Sequence, residues 1–313
     1  MYSNAGAPGK AAGKKITVPD LRGRKVAQGG DAIAMVTAYD YTMARLVDEA
    51  GVDAILVGDS LGMVVQGLSN TIPVTLEEIA YHGRAVQRAG VRAHVVGDLP
   101  FMSYQVSVAQ AVESAGRLMK EGLFESVKLE GGLEFAEQVY RLVRSGIPVM
   151  GHIGLLPQTV HALGGFKVQG RGDEAEQKLI ADARAIEQAG AFAIVLEAIP
   201  PDVAARVTAE IGIPTIGIGA GAACDGQVLV CTDLLGLTSG KAPKFAKRFA
   251  DLGEQAVRAV AEYVSEVRDG TFPSAQHSYK PNRPAGDHSV IASSDSQERL
   301  HAIDEPLAID FWN

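Results

Sequence analysis

The chain has 313 residues, 47% of them hydrophobic and 21% charged, enough to bury a large core and close to the usual size of one α/β barrel with extensions. A formal net charge of -8 and a pI near 5.4 exclude a dedicated nucleic-acid binder, which would carry a basic patch or stripe. No apolar run of about eighteen residues occurs, and the polar, basic start has no apolar stretch, so neither a membrane span nor a secretory signal is expected.

The first segment, residues 1–14, reads as a flexible tail. Gly9-Lys10 and Gly13-Lys14 hint at a phosphate loop, but no strand precedes them and no Ser or Thr follows the lysines in the required place. From about residue 31 to 270 a short apolar run repeatedly ends in a polar or glycine-containing turn and is followed by an amphipathic stretch. The spacing predicts strands at Ile33–Ala38, Ala54–Gly58, Ala93–Asp98, Ser126–Glu130, Ile147–His152, Ala193–Glu197, Pro214–Gly219 and Val228–Cys231. Most are apolar throughout, as parallel strands buried on both faces are. Between them, helices are predicted at Tyr41–Ala50, Leu76–Ala89, Ser107–Glu121, Leu133–Arg144, Asp173–Ala189 and Asp202–Glu210, with a last one over Phe245–Val267.

Gly51, Gly90, Gly122, Gly146 and Gly190 stand where these helices end, as residues able to adopt the left-handed conformation. Eight strands alternating with helices favour a closed (β/α)₈ barrel, with 15–272 as a single catalytic domain and 273–313 as a disordered or surface-docked extension. Phe311-Trp312 could anchor that extension. The interval from Ala220 to Gln227 is short for a parallel crossover, which makes the eighth strand the least secure element.

In such barrels chemistry sits at the C-terminal strand ends. There the sequence delivers Tyr39-Asp40, Asp59-Ser60, Asp98, Lys128 and Glu130, His152, Glu197 and Gly217–Gly221. Asp59, Asp98, Glu130 and Glu197 would repel one another in one mouth unless a cation or protons neutralised them. Oxygen ligands without thiolates or a histidine cluster suit a hard ion such as Mg²⁺; the alternative is that each acid caps the helix behind it. Lys128 shares a strand face with Glu130 and could meet a substrate carboxylate or form an ion pair. His152 could support the ligands from behind, touch substrate, or be a satisfied barrel histidine. The glycines of 217–221 could form an anion-binding nest or serve packing. Cys224 and Cys231, the only cysteines, fit buried free thiols in a reducing, cytoplasmic compartment.

Several segments in order resemble the 3-methyl-2-oxobutanoate hydroxymethyltransferase family: Lys15-Ile-Thr-Val-Pro-Asp-Leu-Arg22, Thr37-Ala-Tyr-Asp-Tyr41, Leu56-Val-Gly-Asp-Ser-Leu-Gly-Met63, Asp98-Leu-Pro-Phe-Met-Ser-Tyr104, Val127-Lys-Leu-Glu-Gly-Gly132, Gly151-His-Ile-Gly-Leu155, Gly164-Gly-Phe-Lys-Val-Gln-Gly-Arg171, Leu196-Glu-Ala-Ile-Pro200 and Ile216-Gly-Ile-Gly-Ala-Gly221. Cys224-Asp-Gly-Gln-Val-Leu-Val230 and Pro243-Lys-Phe245 extend the resemblance, which covers about 15–270. Leu156 departs from it, standing where the family commonly has Thr.

The resemblance implies transfer of a hydroxymethyl group from 5,10-methylenetetrahydrofolate to 3-methyl-2-oxobutanoate. The product would be 2-dehydropantoate (ketopantoate), in pantothenate and coenzyme A biosynthesis, formed through an enolate that Mg²⁺ stabilises. It implies Asp59 and Asp98 as Mg²⁺ ligands with Glu130 as a third acidic contact, Asp59, Ser60, Asp98 and Lys128 against the 2-oxo acid, Glu197 as proton acceptor, and a homo-oligomer, often a decamer. Two rivals remain: another Mg²⁺-dependent 2-oxo acid lyase or aldolase of the phosphoenolpyruvate-mutase type, expected to use a reactive cysteine or a phosphorylated substrate, and a non-catalytic metabolite-binding barrel.

Overall fold

The computed structural model describes residues 13–238, 240 and 243–279. The tail readings for 1–12 and 280–313, including Gly9-Lys10 and Phe311-Trp312, lie outside the described residues. Packing divides the chain into two compact units, with the division after Ala256.

The first unit contains eight parallel strands: β1 Ile33–Thr37, β2 Ala54–Val57, β3 His94–Asp98, β4 Ser126–Glu130, β5 Val149–Gly154, β6 Ala193–Glu197, β7 Thr215–Ile218 and β8 Gly226–Leu229. They pair in sequence order, and β8 closes on β1 through Ile33 opposite Gly226 and Val36 opposite Leu229. This is a (β/α)₈ barrel. Its wall carries two apolar layers. Met35, Leu56, Val96, Met150, Val195, Ile216 and Val228 fill the lumen. Ile55, Val57, Val95, Val127, Leu129 and Ile194 face outward and pack with the helices. This inward–outward alternation is the period of two that strand geometry imposes.

Helices at Tyr41–Glu49, Leu76–Gln87, Val108–Glu121, Ala136–Arg144, Asp173–Gln188 and Pro201–Glu210 occupy the predicted places. Their starts are set locally. Asp40 accepts from Met43 N at 2.8 Å, and Ser107 accepts from Gln110 N at 3.1 Å. Thr75 and Glu78 exchange bonds as a capping box.

Four of the five helix-ending glycines are left-handed, with φ from 65° at Gly90 to 102° at Gly190. Gly122 is not; it has φ -85°, and Leu123 takes the left-handed turn at φ 62°. Gly122 is needed for packing instead. A Cβ there would come within 2.6 Å of the Phe124 ring, and Gly83 and Gly97 are pressed against the same ring.

Four elements start two residues or more away from expectation. β5 starts and ends two residues later than Ile147–His152, and the helix expected from Leu133 starts at Ala136, behind a single 3-10 turn at Leu133–Phe135. β8 starts and ends two residues earlier than Val228–Cys231, because Cys231 opens a short helix, Cys231–Leu234. The link 219–225 carries no helix, yet it suffices. Strands of four residues rise only about 13 Å, and seven extended residues reach about 24 Å. The last helix starts at Leu252, not Phe245. The residues before it are held back against the Cys231–Leu234 turn, through Phe249 N to Leu234 O at 2.9 Å and Leu252 N to Leu235 O at 3.1 Å. That helix, Leu252–Arg268, crosses the division after Ala256.

Candidate active site at the C-terminal strand ends

β2, β3, β4, β5 and β6 each deliver one or two polar side chains just beyond a lumen residue. Asp98 lies two positions past Val96, Glu130 two past Lys128, His152 two past Met150 and Glu197 two past Val195. The period of two therefore aims all of them into the barrel mouth. They meet in a pocket of about 110 Å³, lined by Asp59, Ser60, Asp98, Lys128, Glu130, His152 and Glu197 together with Thr37, Met63, Thr71, Pro157, Phe166 and apolar barrel residues. Every acid the sequence placed there is present except Asp40, which caps its helix.

Lys128 Nζ lies 2.6 Å from Asp98 Oδ1 as a buried ion pair, and that oxygen has no other partner. Asp98 Oδ2 accepts from Asp59 N at 3.1 Å. The imidazole of His152 stands between Glu130 and Glu197. Its Nδ1 is 3.4 Å from Lys128 Nζ and 3.6 Å from Glu130 Oε1, and its Nε2 is 3.2 Å from Glu197 Oε2 without hydrogen-bond alignment. His152 is thus part of the pocket wall and not a histidine satisfied elsewhere. Ser60 shares a 2.8 Å hydrogen bond with Tyr39.

The electrostatics follow from burial. Asp59, Asp98, Lys128, Glu130 and His152 are each at most 4% exposed. Burial, then the neighbouring Asp98, pushes Asp59 up to about 7. Burial and Asp59 raise Glu130 well above the carboxylate range. Burial alone would lower Lys128, but Asp98, Glu130 and Asp59 outweigh it and hold the ammonium charged. Burial and then Lys128 keep His152 below its ordinary value, hence neutral near pH 7.

Sequence reasoning missed Gln158. From the loop after β5 its Nε2 donates to Asp59 Oδ2 at 2.9 Å and to Leu99 O at 3.0 Å. Its backbone N donates to Glu130 Oε2 at 3.0 Å, and its Oε1 accepts from Tyr104 OH and Gln105 Nε2, both at 3.0 Å. These bonds fix the amide orientation and join four strand-end loops. A neutral amide in a loop has no sequence signature. Leu156 lies beside this network and lines a separate small pocket with Lys178 and Asp182.

Among the described residues no three His, Cys, Asp or Glu side chains converge as a ready-made metal cage. The Gly217–Gly221 run serves packing. Cβ atoms at Gly217, Gly219 and Gly221 would meet Gln227, Phe245 and Pro201 within 3 Å. A larger pocket of about 690 Å³ borders the outer side of β1 and β8, and among the described residues Cys224 is its only ionisable lining residue. Both cysteines are buried, their thiols are pushed up chiefly by burial, and neither lines the carboxylate pocket.

Residues 15–275 match the sequence model of the family described as ketopantoate hydroxymethyltransferase. The 3-methyl-2-oxobutanoate hydroxymethyltransferase of Syntrophus aciditrophicus (strain SB) is 55% identical over 85% of this chain and 97% of its own length. The protein of that name from Oleidesulfovibrio alaskensis is 58% identical over 85% of this chain and 91% of its own length. Among solved structures, a 2,3-dimethylmalate lyase of the PEP mutase/isocitrate lyase superfamily aligns with a TM-score of 0.54 at 18% identity, covering 83% of this chain and 92% of that one. A phosphonopyruvate hydrolase in complex with oxalate and Mg²⁺ aligns with the same TM-score at 14% identity, with the same coverage. At these identities the two structures share the fold alone.

Proposed function

The chain belongs to the ketopantoate hydroxymethyltransferase family, and from that premise we propose that it transfers a hydroxymethyl group from 5,10-methylenetetrahydrofolate to 3-methyl-2-oxobutanoate, giving 2-dehydropantoate for pantothenate and coenzyme A synthesis. The observation that carries this reading is a buried mouth in which Asp59, Asp98 and Glu130 outnumber Lys128. Such a surplus of carboxyls must be neutralised by protons, as the raised Asp59 and Glu130 show, or by a cation that displaces those protons, and the donor set is oxygen.

The residues fit Mg²⁺. This ion is usually held by one or two carboxylates with water and substrate oxygens, so the lack of a three-residue cage does not count against it. Asp59 and Asp98 are adjacent, and Asp98 Oδ1 is buried with the Lys128 ammonium as its one partner. They would be the direct ligands. Glu130, already accepting from Gln158 N, would take part through water. Bound there, Mg²⁺ would supply a Lewis acid for the keto and carboxylate oxygens of a 2-oxo acid.

The chain's own groups perform the remaining tasks. Lys128 faces the substrate's negative charge and Ser60 offers a hydroxyl beside Asp59. Glu197 takes the proton from carbon three onto Oε2, and the neutral His152 imidazole 3.2 Å away orients that carboxylate. The deprotonated carbon bonds to the methylene carbon as one of that carbon's two bonds to folate nitrogen breaks. A water oxygen then replaces the second nitrogen to give the hydroxymethyl group, and tetrahydrofolate leaves with the proton from carbon three on one nitrogen and a proton from water on the other. Residues 15–272 form the proposed catalytic domain, working in the cytoplasm as a homo-oligomer, with a decamer as the state to test by sedimentation. No helix among the described residues is long and apolar enough to cross a membrane.

The test is a turnover assay with 3-methyl-2-oxobutanoate, methylenetetrahydrofolate and Mg²⁺, each omitted in turn. Product should form only with all three present. Turnover without folate would overturn the reading and point to a lyase.

A further inference from the structure

The Gly164–Arg171 segment has no part in the chemistry above, yet it borders the site. It belongs to the loop after β5. Gly164, Gly165, Gly170 and Gly172 all have positive φ, from 65° to 116°. One end of the loop is anchored. Gln169 N donates to Ala198 O at 2.9 Å, next to Glu197, and a Cβ at Gly170 would come within 2.5 Å of Leu179. The other part reaches over the pocket. Phe166 lines it together with Glu197 and Asp59 and is still 53% exposed. Among the described residues it is the only phenylalanine, tyrosine or tryptophan in that lining. Lys167, the next residue, and Arg171, beyond the anchored Gln169–Gly170, are exposed, and neither makes an ion pair among the described residues.

Size and charge together say what such a loop would receive. A pocket of about 110 Å³ suits a small 2-oxo acid; enclosing a drug-sized ligand takes roughly 300–1,000 Å³. A fused-ring one-carbon donor must therefore stay at the mouth and present only its reactive carbon to the interior. Inside, Lys128 is the one cation of the lining among the described residues and serves the 2-oxo acid, so the donor's carboxylates must point outward to other cations. We propose that Phe166 is the platform on which the flat ring of the folate co-substrate rests, and that Lys167 and Arg171 receive the carboxylates of its glutamyl tail. This assignment rests on the folate-dependent reaction proposed above. Aromatic faces pair with flat heterocycles by offset stacking, which tolerates a half-exposed setting.

The test separates folate binding from the folate-free step. Phe166→Ala and Phe166→Tyr are compared for KM toward methylenetetrahydrofolate and for solvent-deuterium exchange at carbon three of 3-methyl-2-oxobutanoate, which needs no folate. Phe166→Ala should raise KM for the folate about ten- to a hundredfold, and Phe166→Tyr should restore it to within about threefold. The rise should exceed any change in exchange rate at least about tenfold. Lys167→Ala combined with Arg171→Ala should raise KM for a polyglutamylated folate more than for the pteroyl form lacking glutamate. If Phe166→Ala leaves KM for folate unchanged while the wild type turns over, the platform is wrong. If exchange falls as far as KM rises, the ring only maintains the pocket and the platform is also wrong. If the wild type exchanges deuterium but never uses folate, the underlying reaction is wrong and the platform with it.

Discussion

At the N-terminal end of the barrel, Lys25 and Asp225 are buried 3.0 Å apart, and their polar atoms are engaged. Lys25 Nζ also donates to Thr208 O at 2.5 Å and Ile213 O at 3.2 Å. Asp225 accepts from Val26 N and Thr215 N at 2.8 Å and from Thr215 Oγ1 at 3.1 Å. At the C-terminal end, Lys128 faces Asp98, Asp59 and Glu130, and His152 Nε2 has no hydrogen bond. Both ends bury charge. The first balances it one to one with full hydrogen bonding, as a structural pair must. The second buries three carboxyl groups against one ammonium, so that burial drives Asp59 and Glu130 toward protonation, an arrangement a fold has no reason to keep unless something else binds.

Glu197→Gln tests the functional end most directly. It keeps the shape and removes the proposed base, so carbon-three exchange should fall about 10²- to 10⁴-fold. The affinity for Mg²⁺, followed by calorimetry, should hold. Exchange at the wild-type rate would remove Glu197 from its role.

Lys25→Met tests the structural end. It leaves Asp225 buried and unpaired, which costs about 3–5 kcal/mol. Urea unfolding should show this loss, while kcat/KM of the folded fraction stays as in the wild type. A stable but inactive variant would mean that the two ends are not separate in function.

Several strand ends could be read from sequence because an apolar run is stopped there by an acid, and on β4 the period of two puts Lys128 and Glu130 on one face. That logic placed Asp59, Asp98, Lys128, Glu130 and Glu197 together. It could not tell that Asp40, of the same type and position, caps a helix, since capping and ligation use the same residue types. Gln158 and Tyr104 were invisible because uncharged loop residues have no periodicity to betray them. The early start of β8 was also hidden. Asp225 and Gly226 look like turn residues, but the Lys25–Asp225 pair and Ile33 N to Asp225 O at 2.9 Å pull them into the barrel closure. The final helix began late for a similar reason: backbone bonds to 234–236 outcompeted the helical pattern of 245–251.

Asp59→Asn sharpens the comparison by separating stability from activity. Asp59 sits near pKa 7 in the folded state against an ordinary 3.8, so the folded protein resists its charge. Stability is lost as pH rises from the ordinary carboxylate value through about 7. Removing the charge should therefore stabilise the metal-free protein at pH 7.5, within roughly 1–4 kcal/mol. Mg²⁺ should raise the Tm of the wild type, and the same change should abolish that rise. A destabilised variant that still responds to Mg²⁺ would contradict both halves of this expectation.

The smallest effect concerns His94, at the start of β3 and far from the carboxylates. Its Nε2 shares a 2.8 Å hydrogen bond with Ser126 Oγ, and its Nδ1 is buried without a partner, 3.7 Å from Glu125 Oε2. Burial lowers it to about 4 from 6.5; the Glu125 carboxylate opposes this only in part, and Lys15, which pairs with Glu125 at 2.9 Å, adds to the lowering. The unfolded chain therefore takes up a proton at higher pH than the folded one. The neutral ring's contribution is fully present above pH 6.5, declines as pH falls, and is gone below about 4. The loss is at most about 3 kcal/mol, at 1.36 kcal/mol for each unit of difference. The buried carboxylates at the other end act in the opposite sense, so the total slope does not isolate His94. The difference between wild type and His94→Gln does. Urea midpoints at pH 7.5 and 4.5 should show the wild type losing more stability on acidification than the variant. Parallel losses would mean that His94 is solvated or already charged in the folded protein.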